Sequence, residues 1–349
     1  MKVIKRDSNF ELLRIVSMLF IILHHFVLYN NYKVGQVFSL FDFILTSFIS
    51  GGKLGVVLFT LITGYYMIKS KDIKLNKLVG LEAQVLFYSL GILLLFMLSG
   101  SRVVRIEEFS KLVLPNISKT YWFFSSYFIL YLFIPFLNRL VSNISKKEYE
   151  KLLLIGFIFL ILVPSLVIYN RGITEGVYLV YYYLVGGYIR CYCDDIKGGI
   201  KYLFVFLFFY LAIVFFTAYV GKLSSSNQVL LGSIDAFTRI SSILVFVSSI
   251  SLFLFFKGLK LGSNKIINLI ASTSFGVYLF HEHMFMREFL WNNVFSFDKV
   301  LVGNGIFIKG IFIAILVYLV GSLVDLFRRV IFKYFNKMIE KVGWNKLFN

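Results

Sequence analysis

The sequence predicts an all-α polytopic membrane protein of about ten transmembrane helices, with both termini in the cytoplasm. Three observations predict this. Of its 349 residues, 59% are hydrophobic and only 15% charged, whereas soluble domains carry about a quarter charged residues. The apolar residues fall in runs close to the ~20 that a helix needs to cross a bilayer. The basic residues concentrate in alternate connections between those runs, the pattern that orients membrane proteins.

The basic head "MKVIKR" leads into the first run, near 10–29. A signal peptide opens in the same way, but no small-residue cleavage site follows, so the run is expected to remain as a span. Residues 37–50, "VFSLFDFILTSFIS", are apolar but short, and are expected to form an interfacial or re-entrant helix. Further spans are expected near 52–68, 80–99, 120–140, 152–169, 174–190, 201–220, 236–256, 266–286 and 305–326. Tyr121 and Trp122 suit the aromatic belt at a membrane interface. Residues 1–326 are expected to be one membrane domain. Residues 327–349 read as a basic amphipathic tail on the cytoplasmic leaflet, with Lys and Arg toward anionic lipid.

With the N-terminus inside, 24 of the 36 Lys and Arg residues fall on the cytoplasmic side. Most of the net charge of +18 is therefore topology, and no nucleic acid partner is expected. Cys191 and Cys193 are one residue apart, too close for an ordinary disulfide, and read as free thiols. No internal repeat is visible.

The chemistry-bearing residues cluster. The first span, "ELLRIVSMLFIILHHF", opens with Glu11 and Arg14 and closes with His24 and His25. Arg14 and His25 are eleven residues apart, about three helical turns, so they share a face roughly 16 Å apart along the axis. Glu11 is one turn before Arg14 and can pair with it. The chain has four histidines, and the other two are His281 and His283 in the ninth span. Both spans run from inside to outside, so the two pairs reach similar depth. Ionisable groups inside a membrane are costly and point to function. Adjacent histidines diverge by about 100°, and His25 is favoured because it shares the face of Arg14. A single such histidine would read as a packing residue. Histidines on two helices could also hold zinc, but the spacing matches no familiar ligand set, and no metal is expected.

Four stretches taken in order resemble the membrane acyltransferase-3 family. "FELLRIVSMLFIILHHF" resembles its opening, with an acidic residue, an Arg and a His eleven residues after the Arg, here Glu11, Arg14 and His25. "GVVLFTLITGYYMI", "YWFFSSYFILYLFIPFLNRL" and "TSFGVYLFHEH" resemble its second, fourth and histidine-bearing spans. The likeness covers about residues 9–290. It implies a multi-pass enzyme of the cell membrane that passes an acyl group, usually acetyl, from cytoplasmic acetyl-CoA to a hydroxyl. The acceptor would be a bacterial surface polysaccharide or a lipid-linked sugar.

The resemblance makes His25 the general base or a transient acyl carrier, with Arg14 supporting the donor. His281 and Glu282 would orient the acceptor or complete the site. Where the family carries Arg-x-x-Arg, this chain has "KLNK", Lys74 and Lys77. They are expected to stand near the CoA phosphates, although lysine lacks arginine's bidentate fork. Some members add a hydrolase domain after the last span. Only about 23 residues follow it here, so direct acetylation of the acceptor is expected. The competing class is a transporter or flippase of a polysaccharide precursor, for which paired repeats would be the signature.

Overall fold

The computed structural model describes residues 7–33, 38–73, 75–166, 173–194, 196, 199–226, 234–300 and 305–341. Among them every regular element is helical: α1 (Ser8–Tyr29), α2 (Leu40–Met67), α3 (Leu75–Leu98), α4 (Ile106–Val113), α5 (Trp122–Ser142), α6 (Lys146–Phe157), α7 (Val163–Leu166), α8 (Glu175–Tyr192), α9 (Ile200–Ser226), α10 (Ile243–Gly258), α11 (Lys265–Ser272), α12 (Ser274–Glu282), α13 (Met284–Glu288), α14 (Phe297–Val300) and α15 (Ile306–Lys341). Seven helical stretches are long and apolar enough to cross a membrane. They are α1, α2, nearly all of α3, α5, the continuous run Lys146–Leu166, most of α9 and most of α15.

The other three expected spans fall on α8, α10 and the α11–α12 pair. α10 has only 16 residues. α8 has the length, but tyrosine and glycine dilute its apolar character. Its tyrosines are satisfied inside the protein rather than by lipid. Tyr182 donates to the carbonyl of Ile240 at 2.8 Å, Tyr183 to Asn138 Oδ1 at 2.7 Å and Tyr181 to the carbonyl of Leu153 at 3.2 Å. A buried hydroxyl without such a partner would destabilise the bundle.

Residues 37–50 do not form a separate interfacial helix. From Leu40 they are the first half of α2, which runs unbroken for 28 residues. The Gly51–Gly52 pair looks like a break in sequence but is a contact. A Cβ at Gly51 would lie 2.7 Å from the Phe20 ring, and one at Gly52 2.4 Å from the His24 ring. α2 meets α8 in the same way. A Cβ at Gly64 would come 2.1 Å from the Tyr183 carbonyl oxygen, and one at Gly186 2.3 Å from that of Leu61. Small residues let membrane helices approach closely where apolar burial gives little drive. α2 is thereby the central helix, packed against α1, α8, α9 and α10.

Many of the large exposed apolar side chains, such as Leu95, Phe204, Phe208 and Phe312, lie on helices long and apolar enough to cross a membrane, a surface suited to lipid. α15 packs along α12 and continues as one helix past residue 326, the expected end of the membrane domain, to Lys341. Residues 342–349 of the expected tail lie outside the described residues. Cys191 and Cys193 are both free thiols.

Candidate active site

The histidine-bearing span is broken rather than continuous. α11 starts on Asn264, whose Oδ1 accepts from the backbone N–H of Ile266 at 2.9 Å and of Ile267 at 3.1 Å, the usual N-cap exchange. It ends at Thr273, and α12 ends at Glu282. His283 leaves the helix at ψ 133°. Its Nδ1 accepts from the N–H of Phe285 at 3.2 Å, capping α13, and its Nε2 donates to the carbonyl of Ser89 at 3.1 Å. Broken backbone at membrane depth is tolerated only when buried in protein, and His281, Glu282 and His283 are all buried. The joint turns His281 and Glu282 toward α1.

There His25 Nδ1 lies 3.0 Å from His281 Nε2. His281 Nδ1 lies 2.6 Å from the carbonyl of Val277. A carbonyl only accepts, so His281 Nδ1 holds a hydrogen and, in the neutral ring, its Nε2 is bare. His25 Nδ1 is then the donor of the pair, and the lone pair of His25 is on Nε2. Among the described residues this Nε2 has no hydrogen-bond partner, and His25 stands on a cavity wall. One backbone carbonyl thus sets the tautomer of two rings.

Glu282 completes the group. Its Oε2 is 3.2 Å from His25 Nδ1. Its Oε1 accepts from Tyr29 Oη at 2.7 Å and from Arg287 Nη1 at 3.3 Å. Arg287 also donates to Tyr29 Oη at 3.0 Å, with its guanidinium over the Tyr29 ring. The buried carboxylate is therefore paired, as a buried charge must be. Sequence reasoning missed Tyr29 and Arg287. Tyr29 is one turn after His25 on the same face, and Arg287 is the lone base in the apolar "MFMREFL", so both had a signal.

The cavity holds about 1540 Å³ and follows α1 from Arg14 to Tyr29, ~22 Å along the helix. At the His25 level its wall includes His24, Lys53, Trp122, Glu282 and Arg287. Lys53 lies over the Trp122 ring at 3.9 Å and pairs with Glu175. Toward Arg14 the wall includes Ser272, Arg328, Arg329, Lys333 and Lys337. Arg329 and Ser272 stand at the level of the start of α1. α11 is tied to the start of α1 by Ser8 Oγ to Asn268 Oδ1 at 2.8 Å, and Arg329 bonds Ser272 one turn later.

Of the expected site residues, His25, His281 and Glu282 come together. Glu11 is buried and pairs with Arg14 at 2.6 Å, at the far end of the same cavity. Lys77 is exposed and is not part of the cavity wall. Lys74 lies outside the described residues. The basic residues expected to face lipid from the tail differ from that expectation, since Arg328, Arg329, Lys333 and Lys337 line the cavity instead. The two other histidines are anchors. His24 Nδ1 donates to the carbonyl of Ile49 at 2.6 Å, and His283 joins α13 to α3. Glu108 pairs with Arg102 and Arg105, and Asp235 with Arg239, all away from the cavity wall.

His25, His281 and Glu282 also offer ligand atoms within 4.8 Å of one another, a nitrogen and oxygen set that zinc accepts. A shared proton accounts for the same 3.0 Å separation of the two rings, and Val277 has already fixed where that proton sits.

A bundle of apolar helices around a long cavity, with His25 on its wall and His281 behind it, defines a multi-pass membrane protein with an internal cavity. Residues 7–324, nearly the whole chain, match the acyltransferase-3 family, described as an acyltransferase domain, and the chain belongs to that family. It is an integral-membrane acyltransferase. No curated protein and no solved structure matches the chain.

Proposed function

We propose that this enzyme moves an acetyl group from cytoplasmic acetyl-CoA to a hydroxyl of a cell-surface polysaccharide or its lipid-linked precursor, with His25 as general base. One observation carries the reading: the bare Nε2 of His25 on the wall of a cavity that also reaches a basic mouth at Arg14. In this reading the Arg14 mouth faces the cytoplasm, in keeping with the excess of basic residues on that side.

The acceptor hydroxyl hydrogen-bonds to His25 Nε2 and gives up its proton as its oxygen attacks the thioester carbonyl. The new C–O bond forms a tetrahedral oxyanion. The Arg287 guanidinium, on the same wall, supplies positive charge beside it. The oxyanion collapses with cleavage of the C–S bond, and the leaving thiolate takes the proton back from His25. His281 holds the ring throughout and stabilises the imidazolium through its Nε2 lone pair. The same Nε2 could instead attack the thioester, breaking the C–S bond to release the CoA thiolate and form an acetyl-histidine. The acceptor hydroxyl then resolves it, freeing the imidazole and passing its proton to the thiolate.

The test is transfer of labelled acetyl from acetyl-CoA by the purified protein in nanodiscs, with mass spectrometry of surface glycans from cells carrying His25→Ala. A well-placed general base contributes about 10²–10⁴-fold, so the variant should fall to background at matched expression. Retained acetylation would overturn the assignment. Intact-protein mass after acetyl-CoA alone separates a base from an acetyl-histidine.

A further inference from the structure

We propose that Arg328 and Arg329, with Lys333 and Lys337 further along α15, form the binding site for the phosphate groups of the acyl donor. The proposal rests on acyl-CoA being the donor, and it moves recognition of the donor phosphates from the first turn of α3, at Lys77, to the last helix.

The site is built around Asp325, which is fully buried. Its Oδ1 accepts from Arg328 Nε at 2.9 Å, Gln84 Nε2 at 3.0 Å and Tyr88 Oη at 3.2 Å. Its Oδ2 accepts from Arg329 Nε at 2.9 Å. Space for this carboxylate is kept by Gly276, where a Cβ would stand 2.4 Å from Asp325 Oδ1. One aspartate thus grips two arginines by their inner nitrogens. Arg329 spends its outer nitrogens on Ser272. Arg328 does not. It is only 8% exposed, it lines the cavity, and its two terminal nitrogens have no hydrogen-bond partner among the described residues.

A buried guanidinium on a cavity wall, stacked over the Phe332 ring at 4.8 Å and with its terminal N–H groups otherwise unpaired among the described residues, suits an anionic ligand. Arginine forks match phosphate in a way lysine cannot. Arg329, Lys333 and Lys337 are spaced four apart, so they form one stripe rising ~12 Å along the helix, long enough for a diphosphate and a ribose phosphate. Among the described residues the carboxylates paired with cations of this mouth are Glu11 and Asp325, each already engaged. From this level to His25 is about three turns of α1, a reach suited to the pantetheine arm of CoA.

The experiment compares acetyl-CoA with acetyl-pantetheine, which carries the same thioester and no phosphate, in nanodiscs of zwitterionic lipid. The variants are Arg328→Gln and the double variant Lys333→Gln/Lys337→Gln, whose exposed side chains make it a control for misfolding. Charge-assisted hydrogen bonds of this kind correspond to about 10–100-fold. The wild type should prefer acetyl-CoA, and in each variant the ratio of kcat/KM for the two donors should fall by about that factor. If the wild type prefers acetyl-CoA and both variants keep that preference, the subsite is wrong and the donor reading stands. If the wild type uses neither thioester, the donor reading fails and takes the subsite with it. If the preference survives in the variants while phosphatidylglycerol stabilises only the wild type, the cluster holds a lipid headgroup and the proposal is overturned.

Discussion

His25 and His281, 256 positions apart in the chain, meet at 3.0 Å between Nδ1 and Nε2. The bond is directional because the carbonyl of Val277, one turn before His281, accepts the single N–H hydrogen of that neutral ring and leaves its Nε2 to accept from His25. His281→Ala should therefore lower kcat by ~10²-fold, within the range for a misoriented base, and leave KM for acetyl-CoA unchanged. His281→Gln keeps an acceptor for His25 and should recover part of the rate. Steady-state kinetics in nanodiscs would check both, and an equal loss in the two variants would argue for mere packing.

Tyr29→Phe removes one of the two donors to Glu282 Oε1. A lost hydrogen bond to a charged group costs about 1.5–3 kcal/mol, so kcat should fall by about 10- to 100-fold. Arg287→Ala leaves a buried carboxylate without its cation and should destabilise the protein by about 3–5 kcal/mol. Thermal unfolding in detergent separates the two effects, since Tyr29→Phe should shift the midpoint far less.

Gly64→Ala and Gly186→Ala should each destabilise by about 1–3 kcal/mol, the usual cost of overpacking, because their new Cβ atoms meet backbone carbonyls at 2.1 and 2.3 Å. Gly91→Ala is the contrast. Nothing lies within 4 Å of its Cβ position, and alanine is favoured over glycine inside a helix by about 1 kcal/mol. Midpoints from fluorescence-detected size exclusion should fall for the first two and not for the third.

The Glu108 carboxyl is held below the usual carboxylate range, first by the backbone N–H of Arg105 and then by the guanidinium groups of Arg105 and Arg102. A depressed pKa contributes stability above the unfolded value, and that contribution is lost as pH falls through the folded one. Protection factors of the α4 amides, which correct for the intrinsic exchange rate, should therefore fall on acidification below the ordinary carboxylate range, and Glu108→Gln should show reduced protection at every pH.

Chelation tests the alternative occupant of the histidine cluster. Acetyl transfer should survive dialysis against a strong zinc chelator, and elemental analysis should find no stoichiometric zinc. Activity that is lost on chelation and restored by zinc would make His25 a ligand rather than a base.

Much of this site was legible in the sequence, because two histidine pairs at matched depth on separate apolar runs admit few bland explanations. The Glu11–Arg14 pair followed from one-turn spacing and is present at 2.6 Å. What stayed hidden depends on neighbours. Gly51–Gly52 reads as a break until Phe20 and His24 are placed against it. The helix end at Glu282 carries no proline or glycine, and only the partners of His283 on α13 and α3 define it. The basic stripe of α15 has the same periodicity whether it faces lipid or a cavity, so spacing alone could not choose.

The site also has an order of manufacture. On the ribosome α1 is made well before α12 and carries a carboxylate, a guanidinium and two imidazoles, while His281 and Glu282, which meet His25, follow more than 250 positions later. Until then His25 has neither His281 nor Glu282. The ring of His25 is therefore without its partners on α12 until those residues follow. Any product truncated before residue 281 lacks both His281 and Glu282, and leaves His25 and Tyr29 without the side chains they meet on α12.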